Sequence, residues 1–340
     1  MGRGTIEHDS SASTRTKVTD MPSTCPACGT PSPSPADTVA VADLVAGYRQ
    51  PGLGLDVARL MAGAPECIEL HHCVHCHLRW FDPMQPGDSQ FYEDLQRHDW
   101  YYQDNKPEYA EVAAEIAPRS RVLEVGCGKG AFARHLAAGV HYRGLEFNER
   151  AIALAKQSGL DVSGRTIEDE ALSAHAAYDA VCHFQVLEHV PATAAFMRAC
   201  VAALRPGGRL MVTVPAEDSY LGIAPRGWLN MPPHHVTRWS DLALRNVFSS
   251  LGVRVDRLWH EPVADYHQQE YEAVLAHWAL RQCVGVPTAL ASPRTHVDRL
   301  ADRLLRVPAL RRWLAARGEA RFTACGRGHS VTIFGTRAQN

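Results

Sequence analysis

The sequence predicts an α/β fold in which a mainly parallel sheet is covered by helices on both faces. From about residue 119 onward, short apolar strands alternate with helical segments, which is the pattern of such sheets. The first strand runs into a glycine-rich turn that opens a helix. A Cys/His-rich segment precedes this core and an Arg-rich helical stretch interrupts it, so we expect a small N-terminal module and an insert beside the sheet.

The elements of the core follow from their apolar periodicity and their flanking turns. We expect strands at Arg121–Val125, Tyr142–Phe147, Tyr178–Phe184, Gly208–Val214, Val253–Trp259 and Ser330–Thr336. We expect helices at about Ala131–Ala138, Glu149–Ser158, Ala192–Leu204 and Asp241–Leu251, the last one with Ser240 as its N-cap.

The 340 residues leave room for about two domains, at roughly 100–200 residues each. We expect a disordered tail at 1–22, a zinc-ribbon-like module at 23–82, a connecting segment at 83–118 and the core domain at 119–340, with its helical insert at about 266–324. The connecting segment contains the aromatic cluster Trp100-Tyr101-Tyr102, which either packs between module and core or covers the ligand.

Composition restricts the class of protein. Hydrophobic residues make up 46% of the chain and charged residues 21%, which excludes a disordered scaffold or a fibre. No window approaches the ~18 consecutive apolar residues that span a bilayer, and the N-terminus lacks the apolar stretch of a signal peptide. We therefore expect a cytoplasmic protein without membrane insertion.

The strongest motif is the glycine turn Val122-Leu-Glu-Val-Gly-Cys-Gly-Lys-Gly130. Glycines at alternate positions let the backbone turn sharply and approach a ligand, and the helix that follows supplies free N–H groups. Gly126, Gly128 and Ala131 also satisfy the dinucleotide fingerprint, and a lone match of that kind is weak. A tight turn without any ligand is the remaining alternative.

Two carboxylates favour a different ligand. Glu124 lies two residues before Gly126, where a pyrophosphate would be repelled and a cationic or amine-bearing ligand is favoured. Glu146, at the end of the second strand, can accept both hydroxyls of a ribose. A nucleoside with a positive charge and an amino-acid tail fits this pattern, and S-adenosylmethionine has both.

Over roughly residues 119–337, the sequence resembles the class I S-adenosylmethionine-dependent methyltransferases. The resemblance rests on blocks in the right order: Glu124-Val-Gly-Cys-Gly-Lys-Gly130, Gly144-Leu-Glu146, Tyr178-Asp179-Ala-Val with Val186-Leu-Glu-His-Val190, Leu204-Arg-Pro-Gly-Gly-Arg-Leu-Met-Val-Thr-Val-Pro215 and Gly328-His-Ser-Val-Thr-Ile-Phe-Gly-Thr-Arg337. It implies a Rossmann-like, seven-stranded sheet whose last strand is antiparallel.

The resemblance also implies the cofactor residues. The glycines would line the methionine and ribose portions, and Glu146 would hold the ribose hydroxyls. The family often has an acidic residue after the third strand for the adenine amino group, and Thr166 occupies that place here, so Ile167 or Glu168 becomes the alternative adenine contact. The predicted cofactor-binding set is Glu124, Gly126, Cys127, Gly128, Gly130, Glu146, Phe147, Thr166, Ile167, Glu168 and Gln185.

Two C-x-x-C pairs, Cys25/Cys28 and Cys73/Cys76, are separated by 44 residues and predict a structural Zn²⁺ site with four thiolates. The first pair has the Pro and Gly of a zinc knuckle, whereas the second has His77 where glycine is expected. Free thiols are the alternative to zinc, and a thioredoxin-like pair is disfavoured because neither motif opens a helix after a strand. Other ligand candidates near the second pair are Cys67, His71, His72 and His75.

Methyl transfer to an alcohol needs a base that removes the proton, and histidine is the natural choice. The candidates are His189, which follows the strand Tyr178–Phe184 and has Glu188 beside it, and the pair His234-His235 in Met231-Pro-Pro-His-His-Val-Thr-Arg-Trp-Ser240, of which His235 is preferred. The alternative for Glu188-His189 is that it braces the cofactor pocket, and for His235 that it is a turn residue. The second pattern resembles bacterial methyltransferases associated with sugars and surface polysaccharides.

Three functions of different classes follow. The first is methyl transfer from S-adenosylmethionine to oxygen or carbon of a small-molecule, sugar or glycan acceptor. The second is an RNA methyltransferase that uses the zinc module to bind its substrate, which we disfavour because that module has no basic patch with interleaved aromatics. The third is a non-catalytic scaffold that binds the cofactor. The sequence indicates neither the acceptor nor the oligomeric state.

Overall fold

A computed structural model of the chain describes residues 23–339 except residues 33, 99–103, 225, 287–289, 291–295 and 325. The expected tail at 1–22 and the cluster Trp100-Tyr101-Tyr102 lie outside the described residues.

The described part of the chain contains strands and helices in an order that alternates from residue 121 onward. The strands are β1 (Ser23–Thr24), β2 (Pro31–Ser32), β3 (Asp37–Ala40), β4 (Cys67–His72), β5 (Arg79–Asp82), β6 (Arg121–Val125), β7 (His141–Leu145), β8 (Val162–Ser163), β9 (Tyr178–Phe184), β10 (Leu204–Pro215), β11 (Thr237–Arg238), β12 (Val253–Pro262) and β13 (Arg327–Arg337). The helices are α1 (Val41–Tyr48), α2 (Ser89–Leu95), α3 (Pro107–Ala113), α4 (Glu149–Gln157), α5 (Ile167–Ser173), α6 (Thr193–Ala203), α7 (Tyr220–Ile223), α8 (Asp241–Ser250), α9 (Gln268–Cys283), α10 (His296–Leu304) and α11 (Pro308–Glu319).

The described residues include a seven-stranded sheet with the order β12-β13-β10-β9-β6-β7-β8. The strands from β10 to β8 in this order are parallel, whereas β13 lies antiparallel between β10 and β12. Leu210 of β10 is opposite Val181 of β9 on one side and Gly335 of β13 on the other. The expected sheet with an antiparallel last strand is therefore confirmed.

Apolar side chains explain why the central strands pair where they do. β9 is almost entirely buried, and a near-continuous apolar run is typical of a strand covered on both faces. The expected N-cap of α8 also forms, since the hydroxyl oxygen of Ser240 accepts a hydrogen bond from the N–H of Ala243 at 3.1 Å.

One expected helix is wrong. In place of a helix over 131–138, the chain forms a short 3₁₀ turn at Phe132–His135. Leu136 is already extended, with ψ at 145°, and Gly139 turns back with φ at 86° so that β7 begins at His141.

The N-terminal module is joined to the core by a shared sheet. Among the described residues, the order β11-β5-β4-β3 forms a four-stranded sheet in which β11 comes from the core. Thr237 of β11 is opposite Trp80 of β5, and the N–H of Phe81 donates to the carbonyl of Val236 at 2.9 Å. The loop around residues 231–238 is therefore hydrogen-bonded to the module.

The helices of the C-terminal insert are held together by packing and by a buried ion pair. Gly318 of α11 lies so close to α9 that an added Cβ would be 2.7 Å from the carbonyl oxygen of Leu275. Arg281 of α9 binds both carboxylate oxygens of Asp298 in α10, at 3.1 and 3.0 Å. Within the described segments, no helix combines the length and hydrophobicity needed to span a bilayer.

Candidate active site

A cavity of about 1830 Å³ opens at the carboxyl ends of the parallel strands. Its wall combines the glycine turn, the ends of β7 and β9, the loop after β10, and residues of the module and the insert. Ligand pockets measure roughly 300–1,000 Å³, so this cavity has room for a cofactor and an acceptor together. The location agrees with the rule that ligands of open α/β sheets bind beyond the carboxyl ends of the strands.

The glycine turn has the backbone conformation that its sequence predicts. Gly126, Gly128 and Gly130 have φ values of 71°, 53° and 79°, in the region that favours glycine. A Cβ at Gly126 would also lie 2.5 Å from Cγ2 of Val186. Substitution of Gly126 would therefore both strain the backbone and push the chain into the segment that carries Glu188.

Glu146 is fixed by three backbone donors. Its Oε2 accepts from the N–H of Gly128 at 2.8 Å, and its Oε1 accepts from the N–H groups of Phe147 and Asn148 at 2.8 and 2.9 Å. An ionised carboxylate has about four lone-pair sites, so it can still accept from a ribose hydroxyl. The carboxylate also ties the glycine turn to the end of β7.

Glu124 is a buried acid in the cavity wall, with 2% of its surface exposed. The hydroxyl of Tyr142 donates a hydrogen bond to its Oε2. Burial raises the pKa of Glu124 to about 8, and the nearby Glu146 acts in the same direction. Near pH 7 the carboxyl group of Glu124 therefore keeps its proton, and a cationic group in the cavity would favour the release of that proton.

The other predicted cofactor residues divide into two groups. The first group lies in the cavity wall with Glu124 and Glu146 and consists of Gly126, Cys127, Gly128, Phe147 and Gln185. Gly130, Thr166, Ile167 and Glu168 are not part of that wall. Thr166 caps α5 by accepting from the N–H of Asp169 at 3.1 Å, and Ile167 is buried among the strands. The assignment of Thr166, Ile167 or Glu168 to adenine stays a prediction, as does the contact of Gly130 with the cofactor.

Glu188, His189 and His235 come together in the same wall, although 45 residues or more separate the first two from the third in sequence. Oε1 of Glu188 lies 3.7 Å from Nε2 of His189 and 3.9 Å from Nε2 of His235. His234 joins them, since its ring centroid is 4.8 Å from that of His189 and 4.3 Å from that of His235. We call these four residues the histidine cluster.

Burial sets the protonation of the histidine cluster. It raises the pKa of Glu188 to about 8 and lowers the pKa of His189 to about 4. The pKa values of His234 and His235 are also lowered well below the usual range, mainly by burial and then by the neighbouring histidines. The three imidazoles are therefore neutral near pH 7 and have lone pairs available for a proton or a cation.

Sequence reasoning missed contributions that arise from distant segments. Tyr92 places its hydroxyl 3.1 Å from Nδ1 of His189, and no sequence pattern links the two. Glu261 and His329 line the cavity from β12 and β13, where strand periodicity alone gives no functional signal. His234 belongs to the candidate pair His234-His235, of which His235 is preferred, and both imidazoles line the cavity.

The four cysteines predicted to bind metal are brought together. The Sγ atoms of Cys25 and Cys76 are 3.5 Å apart, as are those of Cys28 and Cys73, and all four lie within 4.8 Å of one another. Disulfide sulfurs would be about 2.05 Å apart, whereas thiolates on a tetrahedral Zn²⁺, with Zn–S near 2.3 Å, are about 3.8 Å apart. The arrangement fits a zinc ion and not a disulfide.

The two knuckles have the same backbone design. The N–H of Gly29 donates to the carbonyl of Cys25 at 2.8 Å, and the N–H of His77 donates to that of Cys73 at 3.0 Å. His77 takes φ of 65°, the left-handed conformation that Gly29 adopts at 73°. The unexpected histidine therefore occupies a glycine position without changing the turn. Of the alternative ligands, Cys67 is exposed, and His71 is engaged with Ser32 and Glu69.

The core of the chain is similar in sequence to known methyltransferases. Residues 96–258 match the sequence profile of a family described as a methyltransferase domain. A ubiquinone biosynthesis O-methyltransferase of Marinobacter nauticus is 32% identical over 144 residues, which are 38% of this chain and 60% of that protein. A protein of the same name from Methylocella silvestris is 34% identical over 160 residues, 41% of this chain and 62% of that protein.

Among solved structures, a SAM-dependent methyltransferase from Archaeoglobus fulgidus is similar with a TM-score of 0.48 and 16% identity, over 72% of this chain and 100% of the other. The chain spans less than two thirds of the length of the two curated relatives named above. The profile match coincides with the glycine turn, Glu146 and the central strands. Over these residues the chain is similar to a methyltransferase domain, which agrees with the resemblance of its sequence motifs to the class I S-adenosylmethionine-dependent methyltransferases.

Proposed function

We propose that the protein transfers the methyl group of S-adenosylmethionine to an oxygen of a small-molecule acceptor, with sugars and glycans as the favoured class. The observation that carries the proposal is the position of the histidine cluster in the cavity wall that also contains the glycine turn. Cofactor and acceptor can therefore meet inside one enclosure. The names of the curated relatives support oxygen as the accepting atom, and a carbon acceptor is the alternative.

In the proposed reaction, an acceptor hydroxyl lies between the sulfonium methyl and the histidine cluster. A ring nitrogen of His189 or His235 takes the hydroxyl proton while the oxygen attacks the methyl carbon. The new C–O bond forms as the C–S bond breaks, and the bonding electrons return to sulfur. The products are a methyl ether and neutral S-adenosylhomocysteine. Enclosure in the cavity aligns the two reactants, which supplies much of the rate enhancement.

The chain's own residues hold the cofactor in this proposal. Glu146 accepts the ribose hydroxyls, Glu124 faces the amino-acid tail, and the glycine turn provides the close backbone approach. We also propose that Cys25, Cys28, Cys73 and Cys76 hold a structural Zn²⁺, which supplies cross-linking and no catalysis because all four ligands come from the protein.

The test is an acceptor screen by mass spectrometry, with nucleotide-linked sugars, free sugars and small phenols as acceptors. We expect one methyl group per acceptor and one S-adenosylhomocysteine per methyl group. His189→Gln and His235→Gln should each lower turnover by about 10²- to 10⁴-fold if the residue is the base. Their affinity for S-adenosylmethionine should be unchanged.

His141→Gln is the matched control, because His141 is exposed at the start of β7 and remote from the cluster. If both cluster variants keep full turnover, neither histidine acts in the transfer. If the wild type forms no S-adenosylhomocysteine with any acceptor class, small-molecule methylation is the wrong function.

A further inference from the structure

The carboxylate of Glu188 is buried in surroundings that offer it no hydrogen bond. Its residue is 1% exposed, and within the described part of the chain neither oxygen has a hydrogen-bond partner. Buried carboxylates are normally paired with donors or with a cation, because desolvation of an uncompensated charge costs several kcal/mol. The Nε2 atoms of His189 and His235 lie 3.7 and 3.9 Å from Oε1 of Glu188, which is too long for hydrogen bonds.

The other ring nitrogens fix which atoms carry hydrogen. Nδ1 of His189 is hydrogen-bonded to the backbone carbonyl of His234, and Nδ1 of His234 lies 2.8 Å from the carbonyl of Leu229. Nδ1 of His235 lies 3.0 Å from Oδ1 of Asn230. A carbonyl oxygen only accepts, so each Nδ1 must be the donor and each neutral ring has its lone pair on Nε2.

With Glu188 ionised, this arrangement is unfavourable unless a positive charge lies between the groups, and a proton on Glu188 or a bound cation supplies it. Two Nε2 lone pairs point to within 4 Å of a carboxylate oxygen that has no donor of its own. It is also the arrangement found around metal ions, where a ligating histidine donates its second ring N–H to a carbonyl or carboxylate, which holds the ring and the tautomer. Three histidines in the cluster have that support.

The distances are those of a site that closes by a small movement. One ring nitrogen from each of His189, His234 and His235 lies within 4.8 Å of the others. Nitrogen ligands at about 2.0–2.1 Å from one ion are roughly 3–4 Å apart, so rotamer adjustments of less than about an ångström would bring the rings onto it. The backbone of this loop is tied to the N-terminal module by β11, which limits larger displacements.

We propose that His189, His234 and His235, together with the carboxylate of Glu188, bind a divalent transition-metal ion to which the acceptor oxygen coordinates. Imidazole ligands suit Zn²⁺, Fe²⁺ and Ni²⁺ in preference to Mg²⁺ or Ca²⁺. All four residues line the large cavity, so the site is open to a ligand, in contrast to the four-cysteine site. The inference rests on the proposed function and changes the role of the histidines in it. With their Nε2 atoms on the ion they act as ligands and not as the base, and the ion would orient and acidify the acceptor hydroxyl so that its proton passes to water.

The test uses Co²⁺ as the probe, because thiolate and imidazole ligands give different optical spectra. Full-length protein is loaded with Co²⁺, and bound metal is counted per chain. We expect two ions, one with thiolate-to-cobalt charge-transfer absorption and one without it. His234→Gln and His235→Gln should each lose the second ion and keep the first, and Glu188→Gln should weaken the second site at least tenfold. His141→Gln should keep both ions.

A measurement on the wild type protects the test against misfolded variants. Imidazole N–H protons of histidines bound to Co²⁺ give strongly shifted proton resonances that disappear in D₂O, and we expect three such signals. If Co²⁺ saturates at one thiolate-bound ion and these signals are absent, the proposal is wrong.

Turnover separates this proposal from the proposed function. Methyl transfer that continues in protein with the thiolate-bound ion alone would overturn the metal site and leave the methyltransferase proposal intact. Binding of the second ion without methylation of any acceptor would support the metal site and overturn the choice of acceptor class.

Discussion

At the residue scale, the carboxylates of this protein are distinguished by what surrounds them and not by their position in a motif. Glu146 has three backbone donors, Glu124 has one phenol, and Glu188 has none within the described residues. The sequence places all three at strand ends but does not show these differences. Under the proposed function, these differences assign the ribose hydroxyls to Glu146, the amino-acid tail to Glu124 and the proposed cation to Glu188.

The buried position of Glu124 gives a prediction about proton release. With a pKa of about 8, the free protein carries a proton on Glu124 at pH 6 to 7. The ammonium group of S-adenosylmethionine favours the carboxylate form and lowers that pKa, so binding should release up to about one proton in this range. Calorimetric titrations in two buffers with different ionisation enthalpies measure this release directly.

Glu124→Gln is the matched variant for this measurement. It has the same size, still meets the Tyr142 hydroxyl and cannot lose a proton. We expect its binding enthalpy to be independent of the buffer. Equal buffer dependence in wild type and variant would mean that Glu124 keeps its proton when the cofactor binds.

At the element scale, the strands were predictable because their evidence is local. β6 and β9 lie where their apolar runs indicate, and the two cysteine knuckles form where their C-x-x-C motifs stand. The helix expected after the glycine turn was wrong because the backbone becomes extended at Leu136 and turns at Gly139 into β7, which the apolar pattern of residues 131–138 does not show. The partnership of Tyr92 with His189 could not be predicted because it depends on how α2 of the connecting segment packs against the core.

The docking of α1 on the core depends on a missing side chain. Gly47 in α1 lies against the ring of Trp228, and a Cβ there would be 2.2 Å from Cδ2 of that indole. Gly47→Ala should therefore destabilise the protein by about 1–3 kcal/mol, since both partners are in a packed core. Ala46→Ser, one exposed position earlier in the same helix, is the control. Chemical denaturation of the three proteins measures the change, and equal unfolding midpoints would show that the helix does not pack there.

At the scale of the whole molecule, the module and the catalytic core are one packed structure. Cys25, Cys73 and Cys76 belong to the same buried cluster as Trp80 and Trp239, which links the knuckles to the main sheet. The hydroxyl of Tyr48 also donates to the carbonyl of Met231 at 2.9 Å, at the start of the loop that carries His234 and His235. The module therefore supports the acceptor side of the cavity, whereas the glycine turn and Glu146 belong to the central strands.

This division predicts different responses of the two sides to loss of the proposed structural zinc. Removal of the ion leaves four thiols without their cross-link and should loosen β5, whose pairing with β11 holds the histidine loop. Turnover should fall at least tenfold, while affinity for S-adenosylmethionine changes little because β6 and β7 keep their own pairing. Cys76→Ser tests the same step without a chelator, and Cys67→Ser, at an exposed cysteine outside the cluster, is the control. If Cys76→Ser lowered cofactor affinity and turnover in equal proportion, zinc would stabilise the whole fold and not the acceptor side, because the loss would have spread through the shared buried cluster to the central strands.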